Sequence, residues 1–336
     1  MTDLRLPSDW TLAASTFNWT VEIQEARRTA PEIVAGIGAT GIASVVELEA
    51  GQVLRSYPAP TDEEIDALSA RLTRAGVRVE VVGASLDDFL TPTRRRTHEE
   101  RLAFLLPQLR AARRLGARSV RLPLGQAGAP LLEALLPHLH ELDLVLLEEI
   151  QGQQSPSRPD VEAALTTIHA LADPHVRLVV DVSLLMPALP TSYLARLAEA
   201  GLPSDFVALL ADAWLAPETG DAVARLLRSG GVPPHVHVLF MDLLIRFGRT
   251  APAELIPLLP LTGGIHLKFW DLDDADHRIT APLAELAPLL VDAGFGGTLT
   301  SEWGGHEWLP GEDPSAMTRA HLLLASRALA SGVARG

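Results

Sequence analysis

Four short stretches in the second half of the chain, LLEEI, VVDVS, GIHLKFW and TSEWGGHEW, carry side chains able to hold a metal ion. They offer the adjacent Glu148 and Glu149, then Asp181, His266 and Glu302. Three carboxylates and one imidazole, with no sulfur, make a hard, oxygen-rich donor set. Such a set suits Mn²⁺ or Mg²⁺, with Co²⁺ or Zn²⁺ able to substitute. A divalent ion held there would polarise a carbonyl and stabilise the oxyanion left when a neighbouring C–H bond loses its proton, with a ligand carboxylate as the base. Of Glu148 and Glu149, strand alternation sends only one toward a shared centre.

Other reactive side chains accompany these. All 28 basic residues except Lys268 are Arg, so the single ammonium marks a place where a point charge is wanted. Two positions past His266, it shares a strand face with that residue. There it would stabilise an oxyanion or assist proton transfer, or else pair with Glu302 or Asp271. His306, in a Gly-flanked loop after the last strand, is a candidate acid for a departing phenolic or enolic group, or a surface loop histidine. Trp19, Trp270, Trp303 and Trp308 fall at or just beyond strand ends, and are expected to wall a sugar ring or flat aglycone. Arg94, with Arg95 and Arg96, would grip a substrate phosphate or form a solvated charge run beside Glu99 and Glu100.

Three patterns lead away from chemistry. GIGATG (36–41) has the spacing of a dinucleotide fingerprint but follows a helical stretch and opens a strand, so it reads as a turn. DLDDADHRITAP begins like a calcium loop yet has Asp276 and Pro282 where Gly and Glu are required. His235 and His237 would share a face only if HVHVLFMDLL were a strand.

The elements that must position these groups repeat regularly. Short β-branched runs at Leu12–Ser15, Ser44–Leu48, Val79–Val82, Ser119–Leu122, Leu144–Glu149, Val176–Val182, Gly264–Phe269 and Thr298–Glu302 alternate with segments of helical periodicity. Several helices stop at Gly (RAG, RLGA, DAG), and Thr97 with Glu100 forms a capping box. Eight strand–helix repeats predict an α/β fold, a (β/α)8 TIM barrel. Chain 1–336 reads as one domain, with two or three helices inserted at roughly 184–262 between strands 6 and 7. In such barrels the C-terminal ends of strands face the active site, which is where Glu149, Asp181, His266 and Glu302 fall.

Composition narrows the partners. A net charge of −14 argues against nucleic acid, and no run is long and apolar enough for a membrane span. The sequence has no cysteine and starts MTDLRLPSDW, which fits a cytoplasmic protein without a signal peptide.

EIQG, DVS, HLK and SEW, in that order, resemble the xylose-isomerase-like TIM barrels, which include sugar isomerases, epimerases and endonuclease IV relatives. The resemblance implies one divalent ion on Glu149, Asp181, His266 and Glu302, so that Glu149 rather than Glu148 is the ligand, with Glu149 and Glu302 also catalytic. It speaks against the endonuclease type, whose three-zinc cluster needs many more strand-end histidines than His266 and His306. Within that superfamily the segment RRRTHEERLAFL and the stretch SEWGGHEW are similar to the larger subunit of bacterial C-glycoside deglycosidases. Trp303, Gly304 and Glu307 depart from the SEYEGHR-like pattern, while His306 keeps to it. The implied activity is β-elimination from a 3-oxo-glycoside, with sugar isomerisation or epimerisation at the same site as the alternative. The implied partner is a small β-rich subunit.

Overall fold

The structure is a computed structural model that describes residues 5–335. Eight parallel strands close into a barrel: β1 (Thr11–Ser15), β2 (Val45–Glu49), β3 (Arg78–Gly83), β4 (Ser119–Pro123), β5 (Val145–Ile150), β6 (Val176–Asp181), β7 (Thr262–Phe269) and β8 (Thr298–Trp303). Each pairs with its sequence neighbours, and β1 closes the ring by pairing with both β2 and β8. This is the (β/α)8 architecture expected from the eight repeats.

The outer helices include α1 (Ala30–Ala39), α2 (Asp62–Arg74) and α3 (His98–Arg114), and bury outward-facing strand residues such as Val46, Leu48, Val120 and Leu146. The capping box at the start of α3 is formed: Thr97 N–H donates to Glu100 Oε2 at 2.9 Å, and Glu100 N–H to Thr97 Oγ1 at 3.3 Å. Gly76 and Gly116 follow α2 and α3 with φ of +70° and +83°, a left-handed stop that glycine adopts without strain.

Parity along each strand sets the interior. Val81, Leu147 and Val179 point inward and plug the barrel with a small apolar layer. Two residues further along the same strands come Gly83, Glu149 and Asp181, so the level above the plug is polar.

Two local expectations need correction. Gly36 and Gly38 of GIGATG lie in the last turns of α1, which ends at Ala39, rather than in a turn. At Gly38 an added Cβ would collide with Ala75 and Val77, so the glycine is there for close packing. The β6–β7 connection holds four helices, α4 (Thr191–Glu199), α5 (Ser204–Asp212), α6 (Pro217–Arg228) and α7 (His237–Ile245), where two or three were expected. HVHVLFMDLL is helical in α7, and His235 and His237 are both exposed, so they form no inward-facing pair. This connection packs around its own core, with Tyr193, Phe206, Trp214, Phe240 and Phe247, and Trp270 and Trp308 from the barrel mouth join it. Among the described residues no helix is long and apolar enough to cross a membrane.

Candidate metal centre and substrate cavity

Parity and register bring the four expected ligand residues to one point. Asp181 pairs with His266 across β6 and β7, and Lys268 with Glu302 across β7 and β8. One ligand atom from each of Glu149, Asp181, His266 and Glu302 lies within 4.8 Å of the other three, and all four residues are buried. Donor atoms bonded at about 2.2 Å to a common ion stand up to about 4.4 Å apart. The spacing is within a few tenths of an ångström of what a single cation needs.

The fit is also visible in what lacks a partner. Asp181 Oδ2, His266 Nδ1 and Glu302 Oε2 are buried without a hydrogen bond. His266 Nδ1 stands 2.8 Å from Glu149 Oε1 and 2.9 Å from Glu302 Oε2, yet neither contact has hydrogen-bond geometry. Lone pairs that approach without donating to one another are what a shared cation would collect. Asp181 is fixed by its other oxygen, which accepts from Ser183 N–H at 2.7 Å.

The opposite side of the barrel supports these ligands. His266 Nε2 lies 2.9 Å from Glu47 Oε2, and donation to that carboxylate leaves Nδ1 as the lone-pair face. Glu47 is held in turn by Arg121, whose Nε donates to its Oε1 at 2.5 Å. Arg121 Nη1 reaches Glu149 Oε2 at 2.6 Å, and Nη2 bonds Glu49.

Charge sets the protonation states. Burial alone would raise the Glu302 pKa, but Lys268 and His266 hold its carboxyl well below the usual range. Burial likewise opposes ionisation of Glu149, and Arg121 and His266 pull its pKa down. Burial pushes Asp181 up to about 7, against the pull of Lys268. Burial would depress the His266 pKa, yet Glu47, Glu302 and Glu149 around the ring raise it well above the ordinary histidine value. Five carboxylates (Glu47, Glu49, Glu149, Asp181 and Glu302) share two permanent cations, Arg121 and Lys268. A dication would offset most of that excess, displacing any proton from Nδ1.

Above the cluster opens a cavity of about 460 Å³, lined by Phe17, Glu49, Arg121, Glu149, Gln151, Gln154, Ser183, Ile245, Arg246, Lys268, Trp270 and Glu302. That volume suits a small ligand such as a sugar.

No family model matches the chain. A C-glycoside deglycosidase alpha subunit from Arthrobacter globiformis is 27% identical over 96% of this chain and 93% of its own length. A 3'-dehydrocarminate deglycosidase alpha subunit from a Microbacterium species is 25% identical, with 94% of each chain covered. Over most of its length the chain is similar to these deglycosidase alpha subunits. Among solved structures, D-psicose 3-epimerase from Clostridium cellulolyticum H10 matches with a TM-score of 0.58 at 10% identity, covering 95% of this chain and 99% of that one. A xylose isomerase domain protein from Alicyclobacillus acidocaldarius matches at 0.54 and 16% identity, over 97% and 100%. At such identities the likeness is one of fold.

Against these relatives the remaining expected residues sort clearly. Glu149 joins the cluster, while Glu148 faces the other side of β5, where Gly125 N–H donates to it at 3.2 Å and burial pushes its pKa up to about 7. Lys268 Nζ pairs with Glu302 Oε1 at 3.3 Å and lines the cavity, whereas Asp271 accepts from Ser192 N–H at 2.9 Å. Trp270 also lines the cavity, as its parity with His266 and Lys268 requires.

The wider aromatic wall is not formed. Trp303 follows Glu302 and so points outward, buried with Phe269 and Met317. Trp19 turns away as well, its Nε1–H donating to Ser315 Oγ at 3.2 Å, and Trp308 donates to Ser192 Oγ at 3.0 Å within the inserted core. Arg94 is in a surface hairpin (Phe89–Thr91 with Arg94–Arg95), where its two Nη groups meet the Glu100 carboxylate at 3.0 and 2.8 Å. It does not reach the cavity.

His306, the expected acid, is set back from the cavity. Its ring packs at 4.8 Å on Phe17 and edge-on at 5.7 Å to Trp303, it is absent from the cavity lining, and burial lowers its pKa to about 4. It is neutral near pH 7 and has no cationic proton to give.

Glu47, Glu49 and Arg121 went unanticipated. Their signal was present in VVELE and SVRLP. Helices cover a barrel strand's outer face, so charges at alternate positions of such a strand must face inward.

Proposed function

We propose that the chain is the metal-binding catalytic subunit of a lyase that cleaves 3-oxo-glycosides, above all C-glycosides, by proton abstraction next to the carbonyl and β-elimination. The observation that carries the reading is the convergence of the buried, unpartnered Asp181 Oδ2, His266 Nδ1 and Glu302 Oε2 beneath a sugar-sized cavity. The names of the relatives supply the substrate class.

Glu149, Asp181, His266 and Glu302 would hold one divalent ion, Mn²⁺ being the best match to the donor set. Bound there, the ion would polarise the 3-oxo group and lower the energy of the enolate. Glu149 and Glu302, kept ionised by Arg121 and Lys268, are the available bases for the C2 proton. Lys268 stays cationic, because its carboxylate neighbours raise its pKa despite burial, so it stabilises negative charge rather than accepting a proton. The C2–H electrons form the C1=C2 double bond as the C1–aglycone bond breaks. The carbanionic aglycone takes up one proton, the same number the base has gained.

The relatives are called alpha subunits, which supports a partner subunit for this chain; that the partner is small and β-rich and the setting cytoplasmic is our further proposal. The test is release of aglycone from a 3-oxo-C-glucoside by the purified chain, alone and with that partner, followed by chromatography in D₂O. Cleavage lost on chelation and restored by Mn²⁺ supports the lyase. Deuterium entering next to the carbonyl without cleavage would replace it with a sugar isomerase or epimerase. Neither event would refute both.

A further inference from the structure

Glu49, Gly83 and Arg121 occupy one level of three adjacent strands: Glu49 is in register with Gly83, and Gly83 with Arg121. Arg121 reaches over the glycine to bond Glu49. Gly83 is absent from the glycines with positive φ, so it is not needed for backbone conformation. It is needed for room, since a Cβ there would stand 2.6 Å from Glu49 Oε2 and 2.8 Å from Oε1.

Of the three carboxylates on Arg121, Glu49 has a side chain 21% exposed, against 1% for Glu47 and 3% for Glu149. Glu47 already accepts from His266, and Glu149 belongs to the ligand cluster. The Glu49 side chain bonds Arg121 rather than any of the four cluster residues. One oxygen is committed to the guanidinium, Oε2 makes no hydrogen bond among the described residues, and the residue lines the cavity. A carboxylate oriented in this way is a rigid acceptor for hydroxyl groups. Every cation on the cavity wall is paired with carboxylate: Arg121 as above, Lys268 with Glu302, and Arg246 with Asp242 and Glu307. The wall therefore suits an uncharged polyol better than an anion.

We propose that Glu49, held by Arg121 above Gly83, is a substrate-binding residue that accepts hydrogen bonds from the hydroxyls of a neutral sugar ring. The proposal deepens the lyase reading, on which its choice of sugar rests, but its test measures binding and does not require turnover.

The experiment titrates methyl 3-oxo-β-glucopyranoside into the full chain calorimetrically, comparing wild type with Glu49→Gln, which keeps the shape and removes the charge. Glu49→Gln is expected to weaken sugar binding about tenfold, the worth of a hydrogen bond to a charged group. Its Mn²⁺ affinity is expected to fall clearly less than its sugar affinity, because Glu49 reaches the cluster only through the Arg121 it shares with Glu149. Gly83→Ala keeps every charged residue and should reproduce the sugar defect by displacing the carboxylate. The proposal is overturned if wild type does not bind the sugar, if Glu49→Gln binds it equally well, or if Mn²⁺ affinity falls in parallel. Failure of the lyase reading is a separate event, seen as sugar bound but no aglycone released.

Discussion

Strands β5 to β8 present Glu149, Asp181, His266 and Glu302 with three buried atoms unpartnered, whereas β2 and β4 present Glu47, Glu49 and Arg121 already joined to one another. The first half is electrostatically incomplete by itself; the second is a brace. A partly satisfied polar network in a low-dielectric interior is costly unless something completes it, and a divalent cation is the simplest completion for converging carboxylates and an imidazole lone pair. The brace fixes where those lone pairs point. Arg121 touches Glu149 directly and reaches His266 through Glu47, so β2 and β4 shape a site to which they contribute no ligand.

The contrast is most sharply tested on the ligand side. Asp181→Asn or Glu302→Gln should lower kcat/KM on 3-oxo-glycoside by on the order of 10³ or more, with little change in folding, read by steady-state kinetics beside a circular dichroism melt. On the brace, Arg121→Met removes the cation shared by the buried Glu47 and Glu149 and the part-buried Glu49. It is expected to cost about 3–5 kcal/mol of stability by denaturant unfolding, whereas an Arg121 that merely filled space would cost far less. Glu47→Gln retains the packing but loses the charge behind His266 Nε2. It should weaken Mn²⁺ binding about 10- to 100-fold, and an unchanged affinity would remove Glu47 from the site.

A smaller effect comes from behind the ligand strands. His321 accepts or donates at Nδ1 with Ser301 Oγ at 2.8 Å and stacks at 3.8 Å on Phe269. Burial lowers its pKa from 6.5 to about 3, so the folded protein keeps it neutral while the unfolded chain takes up a proton below 6.5. Its contribution is complete above that pH and is lost as pH falls toward 3. The expected loss is about 2 kcal/mol by pH 5, visible in thermal melts and reduced in His321→Gln. Arg94→Ala, at the surface hairpin, should alter kcat/KM by less than about twofold, since exposed ion pairs contribute little.

The ligand half was legible because its four residues end strands, where a barrel gathers its chemistry, and because their order along the chain followed the repeat. The aromatic wall was misjudged where parity was ignored. Trp303 is one residue past an inward Glu302 and has to face out, while Trp270 keeps the parity of His266 and lines the cavity. Trp19 and His306 lie in short 3-10 turns after their strands, where the alternation no longer gives direction. The brace is less legible because Glu47 and Arg121 sit within their strands, and Glu49, at the end of β2, lies in the half of the barrel that carries no ligand-type motif. HVHVLFMDLL looks like a strand through its β-branched start, but it is helical because it packs Phe240 and Leu243 into the inserted core.

The central claim, that four side chains from successive strands share one divalent ion, is met most directly by calorimetric titration of the chelator-treated chain with Mn²⁺, with Asp181→Asn alongside. The account predicts one ion per wild-type chain and no saturable binding in the variant. A wild-type chain that takes up no ion, or an Asp181→Asn chain that binds as wild type does, would contradict it.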